Sequence, residues 1–452
     1  MGIVWLILTF IGVLGVLIFF HELGHFLLAK KMGVKVLKFS LGFGPKIIGK
    51  TVGDTEYLIS AFPLGGYVKM LGESPDDEVE AVDEEMSFSA QPPWKRMAIV
   101  AAGPIFNIIL TVLLYSFIYV YGVSAISTII GYVEKDSPAY HSGLRDGDRV
   151  TSIDGLKVEE WDTIDGIIRE NIDKKVSITL IREGQEMVVE VLPEKKMGKN
   201  LFAESIEIGT IGIWPFVTSV VGEVIEGSPA EAGGLKMGDR IVSIEGVEVG
   251  QWSEVVKIIR GKANEELSIV VERGKEILDI TLTPAPYTEK LENGEEITVG
   301  RIGISYGEPM RQNLITKRHN PFTAFFMGVE QTWEITRLTL LVIKKLIVGD
   351  IPAKTLAGPI GIAQMTGQVA KRGFTSLLAF MALLSINLGI LNLLPIPILD
   401  GGHLVFFTIE SITGKPLSEK KLEIAQKIGF MFLMLLMALA FYNDILRLFG
   451  GG

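Results

Sequence analysis

Four long apolar segments constrain the fold more than any other feature of this sequence. They cover about residues 3 to 28, 97 to 121, 376 to 399 and 426 to 448, and each approaches the roughly 20 residues that a helix needs to cross a bilayer. Residues 123 to 310 instead have the composition of an ordinary soluble protein. We therefore predict a polytopic α-helical membrane protein with four transmembrane helices and a soluble insert between the second and the third.

The first apolar run, from Ile3 to Phe20, is interpreted as a retained transmembrane helix. No basic residue precedes it, and it continues into His21 and Glu22 rather than into a cleavage site of small residues. A signal peptide normally has both of those features. A cleaved signal peptide is therefore the less favoured alternative.

Basic residues near the ends of the spans predict the orientation of the chain, because cytoplasmic loops carry an excess of Lys and Arg. Such residues follow the first span and precede the second and the fourth: Lys30, Lys31, Lys35, Lys38, Lys95, Arg96, Lys420, Lys421 and Lys427. Those ends are expected in the cytoplasm of a bacterial cell. Both termini and the soluble insert are then expected on the periplasmic side of the inner membrane.

Charge and cysteine content exclude some classes of function. The 452 residues carry a net charge of −10, and acidic residues crowd the run from Asp76 to Glu85. We predict no nucleic-acid partner, because phosphate binding needs clustered cations, and we interpret the acidic run as a solvated loop. The chain has no cysteine, so a protein-bound metal must be held by His, Asp or Glu.

The soluble insert contains an internal repeat at a constant offset of 91 residues. Gly147-Asp148-Arg149 recurs as Gly238-Asp239-Arg240, and Trp161 recurs as Trp252. Runs of β-branched residues alternate with turn glycines in both copies, which is typical of a small, mostly β domain. We therefore predict two copies of one domain, at residues 123–215 and 216–306.

Both copies contain Ser-Pro-Ala, Gly-Leu and Gly-Asp-Arg in the same order, and this order resembles that of bacterial PDZ domains of the circularly permuted type. One departure is Ser142 in the first copy and Gly233 in the second, where Ala is expected. The resemblance implies that a groove in each copy binds an extended peptide or a chain end by β-augmentation.

Two further regions lie between the spans. Residues 35–72, within an N-terminal membrane part of residues 1–122, are rich in Gly and in β-forming residues, so we predict a membrane-associated β-hairpin sheet there. Residues 307–375 form a linker in which Pro321 to Val348 has the pattern of an amphipathic helix, and a surface helix and a membrane-lying helix fit it equally well. Residues 376–452 form the C-terminal membrane part.

The end of the first span carries the sequence His21-Glu22-Leu23-Gly24-His25. A spacing of four places both imidazoles on one helix face, where they can bind one Zn²⁺, and Glu22 lies beside that face. Such a five-residue pattern also occurs by chance. However, each charged side chain at the centre of a span costs about 2.5 to 3.5 kcal/mol to insert, so a chance occurrence inside an apolar run is disfavoured.

A catalytic zinc usually has three protein ligands, and two histidines leave it one short. Asp400 is the natural third ligand, because it follows the third span on the side of the membrane where the first span ends. Pro395 and Pro397 are expected to break that span and so position Asp400. The predicted site lies within the membrane, near its cytoplasmic side.

The HExxH sequence, together with Asn-x-x-Pro-x-x-x-Leu-Asp-Gly at residues 392–401, resembles the motif pair of the site-2 protease family of intramembrane zinc metalloproteases. The two PDZ-like copies, the Gly103-Pro104-Ile105-Phe106-Asn107 sequence in the second span and the chain length resemble the RseP branch of that family, the regulators of sigma-E. The resemblance covers essentially the whole chain.

That resemblance implies a metalloendopeptidase with His21, His25 and Asp400 as zinc ligands and Glu22 as catalytic base. It implies that Asn392 holds the substrate or the transition state, and that a hairpin around Gly42 to Leu71 presents an edge strand to an unwound substrate helix. We extend this to a predicted substrate-binding set of Asn392, Gly42, Gly65, Gly66, Tyr67, Pro395 and Pro397.

The same resemblance implies regulated proteolysis of single-span membrane proteins. The expected substrates are an anti-sigma factor already cut on its periplasmic side and remnant signal peptides. The PDZ pair is expected to exclude substrates that keep bulky outer domains.

The remaining histidines and buried amides have plainer interpretations. His403 is more simply a supporting or interfacial residue than a rival metal ligand, and His141 and His319 are expected on the surface of the soluble part. Asn107 and Asn387 lie within spans, where a hydrogen bond between helices is the simplest explanation.

Two alternatives to a protease stay open at this point. A membrane-anchored PDZ scaffold without catalysis explains the repeats but not the HExxH sequence within a span. The second alternative is a zinc or ion transporter with His21, His25 and Asp400 as a transit site, which one tightly held zinc per chain would disfavour.

Overall fold

A computed structural model of the chain describes residues 3–73, 83–200, 204–290, 296–306 and 314–449. Residues 76–82 of the predicted acidic loop lie outside the described residues. The chain divides into two compact units, one formed by residues 1–123 and 318–452 and the other by residues 124–317. The first unit therefore contains all four predicted spans, and the second contains the predicted repeats.

The N-terminal part of the first unit has two long helices separated by a β-hairpin. Helix α1 spans Ile3–Lys31, strands β1 and β2 span Val36–Val52 and Thr55–Met70, and helix α2 spans Pro93–Tyr121. A short 3-10 turn, Glu84–Met86, precedes α2. Pro104 lies inside α2, and α1 has no acidic residue in its first turn and two lysines in its last.

The hairpin is a sheet in which β1 pairs with more than one part of β2. Residues 38–41 pair with residues 66–69 on one side and with residues 56–59 on the other, which leaves residues 66–70 at an edge of the sheet. Gly42 has a φ of +90°, and a Cβ there would lie 2.8 Å from the Phe62 carbonyl oxygen, so only glycine fits. Apolar side chains such as Ile47 and Ile48, near the turn of the hairpin, are exposed.

The second unit repeats its elements at the 91-residue offset seen in the sequence. A lead-in strand, β3, spans Val123–Ile126. The first copy comprises β4 Ile130–Val133, α3 Pro138–His141, β5 Arg149–Ile153, β6 Leu156–Lys157, α4 Trp161–Glu170, β7 Val176–Arg182, β8 Gln185–Val191, β9 Glu194–Lys199, β10 Ser205–Thr210 and β11 Ile213–Pro215. The second comprises β12 Val221–Val224, α5 Pro229–Ala232, β13 Arg240–Ile244, β14 Val247–Glu248, α6 Trp252–Arg260, β15 Leu267–Arg273, β16 Glu276–Leu282, β17 Ala285–Lys290, β18 Glu296–Arg301 and β19 Ile304–Tyr306, followed by β20 Leu314–Lys317.

Each copy contains a four-stranded antiparallel sheet, ordered β6-β5-β7-β8 in the first and β14-β13-β15-β16 in the second. Each encloses its own apolar core. A buried aspartate in each copy is bound by an arginine, with Nε–Oδ1 distances of 2.7 Å for Arg182–Asp148 and for Arg273–Asp239. Burial opposes the ionisation of Asp239, but hydrogen bonds from Arg273 and from the Lys236 amide hold the pKa of this carboxyl below its ordinary value.

The C-terminal part returns to the first unit as five helices. They are α7 Pro321–Val348, α8 Pro359–Arg372, α9 Phe374–Leu393, α10 Asp400–Thr413 and α11 Glu419–Phe449, with a 3-10 turn at Ala353–Thr355. Among the described residues, α1, α2, α9 and α11 are the helices long and apolar enough to cross a membrane. Helix α7 has the bounds expected from the sequence, and it packs closely on α2, where a Cβ at Gly328 would lie 2.8 Å from the Val112 carbonyl oxygen.

The third span is shorter than the predicted range of 376–399. Helix α9 ends at Leu393 and α10 begins at Asp400, because Pro395 disfavours helical backbone at Leu394, which is extended with a ψ of 146°. Helix α11 is held at its C-terminal end by Asp444, whose carboxylate accepts hydrogen bonds of 2.9 to 3.0 Å from the Gly358, Ile360 and Gly361 amides at the start of α8.

Candidate active site

His21, His25 and Asp400 converge at one point of the first unit. The Nε2 atoms of the two histidines are 3.2 Å apart, and Oδ2 of Asp400 lies 3.2 Å from Nε2 of His21 and 3.7 Å from Nε2 of His25. Within the described part of the chain, this is the group of His and acidic side chains whose ligand atoms come close enough to share one metal ion.

The three ligand atoms fit a zinc ion. Bonds of about 2.0 to 2.2 Å in a tetrahedral site place neighbouring ligand atoms about 3.3 to 3.6 Å apart, close to the observed separations. Oδ2 of Asp400 is buried and accepts no hydrogen bond from the residues that the structure describes. A buried carboxylate oxygen without a partner is costly, and a cation at this point would remove that cost.

Residues of helix α2 contact the Nδ1 atoms of both histidines. Nδ1 of His25 lies 2.9 Å from the Ile99 carbonyl oxygen, and Nδ1 of His21 lies 3.2 Å from Nδ2 of Asn107. The two helices approach closely because Gly24 and Gly103 lack side chains, and a Cβ at Gly24 would lie 2.3 Å from the Ala102 carbonyl oxygen. Both Nδ1 atoms are thereby held by α2, which leaves both Nε2 atoms facing Asp400.

The segment from Leu394 to Leu399 places Asp400 opposite the histidines. After α9 ends, the chain doubles back so tightly that a Cβ at Gly401 would lie 2.2 Å from the Leu394 carbonyl oxygen. A Cβ at Gly402 would meet the Ile396 carbonyl oxygen at 2.3 Å. The two glycines after Asp400 are therefore required by this turn, and Asp400 becomes the first residue of α10.

A cavity of about 850 Å³ opens over these residues. Glu22 lines it together with the three candidate ligands, and so do Gly66 and Tyr67 from the edge of the hairpin. Its remaining wall is formed by residues of the hairpin, α2, α10, the start of α11 and the segments that precede α2 and α10, among them Val68, Met70, Glu73, Phe88, Arg96, Val100, Ile398, His403, Phe406, Phe407, Glu419 and Glu423.

Glu22 lies between the candidate ligands and the edge of the sheet. A Cβ at Gly66 would be 3.0 Å from Cγ of Glu22, and the Val68 backbone amide donates a hydrogen bond to the Glu22 carboxylate. The edge of the hairpin and the carboxylate of an HExxH glutamate are therefore next to each other in one cavity.

The other predicted substrate-binding residues have different surroundings. Nδ2 of Asn392 lies 3.5 Å from Nε2 of His21, so this residue is beside the candidate metal ligands. Gly65 lies under the Phe43 ring, where a Cβ would meet a ring carbon at 1.8 Å, and Gly42 makes a turn in β1. Pro397 packs against Gly429 of α11, where a Cβ would lie 3.2 Å from Cδ of Pro397.

His403 lines the cavity, whereas His141 lies in the second unit, where its Nδ1 is 2.9 Å from the Ser137 carbonyl oxygen. His319 precedes α7 in the first unit, where its ring packs edge-on against Tyr119. Neither of the latter two residues lies at the site.

Two contributions of α2 were not predicted from the sequence. Gly103 is in close contact with the imidazole rings of both histidines. A Cβ there would be 2.3 Å from Nε2 of His25 and 2.9 Å from Cε1 of His21. The Ile99 carbonyl bonds to His25, and no side-chain pattern reveals a backbone acceptor. The one signal available was the spacing of Gly103 and Asn107, which are four residues apart as the two histidines are.

Comparison with known proteins finds relatives over nearly the whole chain. The model described as Peptidase family M50 matches residues 9–436. Protease RseP of Yersinia pestis is 38% identical, covering 99% of this chain and all of the relative. Regulator of sigma-E protease RseP of Escherichia coli K12 is 35% identical with the same coverage, and a protein of Neisseria meningitidis named as a zinc metalloprotease is 38% identical over 98% of this chain.

Among solved structures, the PDZ domain of an SdrC-like protein from Listeria monocytogenes aligns with 21% of this chain and 90% of its own, with a TM-score of 0.17 and 19% identity.

Proposed function

The chain belongs to peptidase family M50, and on that premise we propose that His21, His25 and Asp400 hold its zinc and that Glu22 is its general base. The protein is an intramembrane zinc metalloprotease of the bacterial inner membrane. One observation carries the assignment of residues. Two imidazole nitrogens and an orphaned carboxylate oxygen converge beside an HExxH glutamate in a cavity large enough for an extended peptide.

Each residue of the proposed site has a separate role in hydrolysis. Zinc, when bound by the three ligands, lowers the pKa of a water molecule and polarises the scissile carbonyl. Glu22 accepts a proton from the attacking water at its carboxylate and delivers it to the leaving amide nitrogen. Asn392, beside His21, is placed to donate a hydrogen bond to the carbonyl oxygen as negative charge develops there.

The edge of the hairpin is proposed to hold the substrate. An intact transmembrane helix satisfies its amides internally and shields its carbonyls, so cleavage requires local unwinding. Residues 66–70 pair with β1 on one side only, and Gly66 and Tyr67 line the cavity beside Glu22. An unwound substrate segment that adds to this edge as a strand would bring its peptide bonds to the candidate zinc site.

The arrangement in the membrane follows from the basic residues at the ends of the spans. We propose that both termini and residues 124–317 lie in the periplasm, and that the active site lies near the cytoplasmic face. The two repeated copies within residues 124–317 are proposed to be PDZ domains. They would exclude substrates with bulky outer domains and bind chain ends or extended segments.

The regulatory role is proposed from the relatives. Several are named as regulators of sigma-E or as RseP. We propose that this protease cleaves an anti-sigma factor already cut in the periplasm, as well as remnant signal peptides.

A glutamine substitution at residue 22 tests the proposed function. Glu22→Gln should retain one zinc per chain and lose about 10² to 10⁴ in the rate of cleavage of a single-span reporter, because amide nitrogen cannot take up the proton. Glu334→Gln, which removes an exposed carboxylate on α7, is the control and should cleave at the parent rate. Cleavage by Glu22→Gln as fast as by the parent would remove Glu22 from the mechanism.

A further inference from the structure

The contacts between α2 and the two histidines have a regular geometry. Ile99, Gly103 and Asn107 are spaced by four residues and so lie along one face of α2. The outer two residues contact Nδ1 of one ring each, at 2.9 Å for Ile99 O to His25 and 3.2 Å for Asn107 Nδ2 to His21. Gly103 between them leaves room for both rings.

The protonation of each ring follows from which nitrogen binds the metal. A histidine that ligates through Nε2 carries its proton on Nδ1, and that proton needs an acceptor. The Ile99 carbonyl is this acceptor for His25. For His21, the group beside Nδ1 is the Asn107 amide, whose oxygen is buried and accepts no hydrogen bond from the described residues.

The opposite orientation of the Asn107 amide supplies an acceptor for the proton on Nδ1 of His21. A half-turn of the amide exchanges its nitrogen and oxygen, which have nearly the same shape. Oδ1 then accepts the proton of Nδ1, which gives the orphaned oxygen a partner and leaves Nε2 of His21 free to bind a metal.

We propose that Asn107 is a positioning residue that fixes the ring of His21, and the site of its proton, for zinc ligation. The inference rests on the proposed zinc site and assigns Asn107 a function beyond a bond between two helices. The backbone of Asn107 is held independently of its side chain, because its carbonyl oxygen accepts hydrogen bonds from Ser385 Oγ at 2.8 Å and Thr111 Oγ1 at 2.9 Å. Its side chain is fully buried.

Two substitutions separate this role from packing. Asn107→Leu keeps the volume and removes the acceptor, and it should weaken zinc binding about 10- to 100-fold, as loss of a partner behind a ligand does. Asn107→Asp keeps an acceptor oxygen and should bind zinc close to the parent affinity. Zinc dissociation constants are measured by chelator competition on the full chain in detergent.

Asn387→Leu is the matched control, because Asn387 is also an asparagine in a span and bonds to Thr339 at 3.0 Å, away from the site. It should leave zinc affinity unchanged. Parent affinity in Asn107→Leu would overturn the proposal, and so would equal losses in Asn107→Leu and Asn107→Asp or in Asn107→Leu and Asn387→Leu. Failure of the zinc site itself would appear differently, as unchanged zinc binding in Asp400→Ala.

Discussion

Substitution of Gly103 by alanine tests the close packing of α2 against the two histidines. The new Cβ would lie 2.3 Å from Nε2 of His25, whereas carbon and nitrogen atoms normally approach to about 3.5 Å. Moving the two helices apart would instead open the close contact between Gly24 of α1 and the Ala102 carbonyl of α2, which costs packing energy. The His25 ring must therefore move by about 1 Å.

A displacement of that size at a catalytic group costs on the order of 10²-fold in rate. We expect Gly103→Ala to lower the cleavage rate of a single-span reporter in nanodiscs by about that factor, and to weaken zinc binding in the same preparation. Gly15→Ala is the control, because a Cβ at Gly15 meets no atom within 4 Å. A cleavage rate and zinc affinity of Gly103→Ala within threefold of the parent values would refute the close-packing argument.

Three further predictions concern the sheet edge, the membrane unit and the repeats. Val68→Pro removes the edge amide that bonds to Glu22 without breaking the pairing of β1 with β2, and it should slow cleavage by about fivefold or more; an unchanged rate would show that this amide supports neither Glu22 nor a substrate strand. Asp444→Ala leaves three amides at the start of α8 without an acceptor, so hydrogen exchange at Gly358 to Gly361 should accelerate about tenfold or more, and unchanged protection would contradict this. Because the pKa of Asp239 is lowered in the folded state, its ion pair with Arg273 contributes stability above about pH 4 that is lost as the pH falls further. Asp239→Asn should therefore destabilise the second repeat by about 2 kcal/mol at pH 7 in urea unfolding, with a smaller difference near pH 3, and a difference independent of pH would count against it.

Much of the fold was accessible from the sequence, because its strongest signals are local. Apolar runs gave the helices that can cross a membrane, and the 91-residue offset recurs in the elements of the second unit. Pro321 and the apolar periodicity after it predicted α7 with its observed bounds. The third span was predicted to end six residues too late, because the apolar residues of 394–399 outweighed the two prolines among them in the hydropathy pattern.

The motifs predicted the family, the activity and the zinc, and the comparisons confirmed these. They also identified the residues that converge at the site, although the roles of His21, Glu22, His25 and Asp400 remain predictions. The supporting residues were harder to find, because their contributions depend on how two helices cross. Gly103 contributes to the site by having no side chain, and Ile99 contributes its backbone carbonyl. Asn107 was expected only to form a hydrogen bond between helices.

Zinc analysis of three purified proteins tests the central claim most directly. The parent chain and Glu22→Gln should each contain one zinc per chain after exhaustive dialysis against a weak chelator, because neither lacks a ligand. Asp400→Ala should contain almost none, since two histidines alone bind the ion too weakly. One tightly held zinc in Asp400→Ala would contradict the assignment of His21, His25 and Asp400 as the metal site.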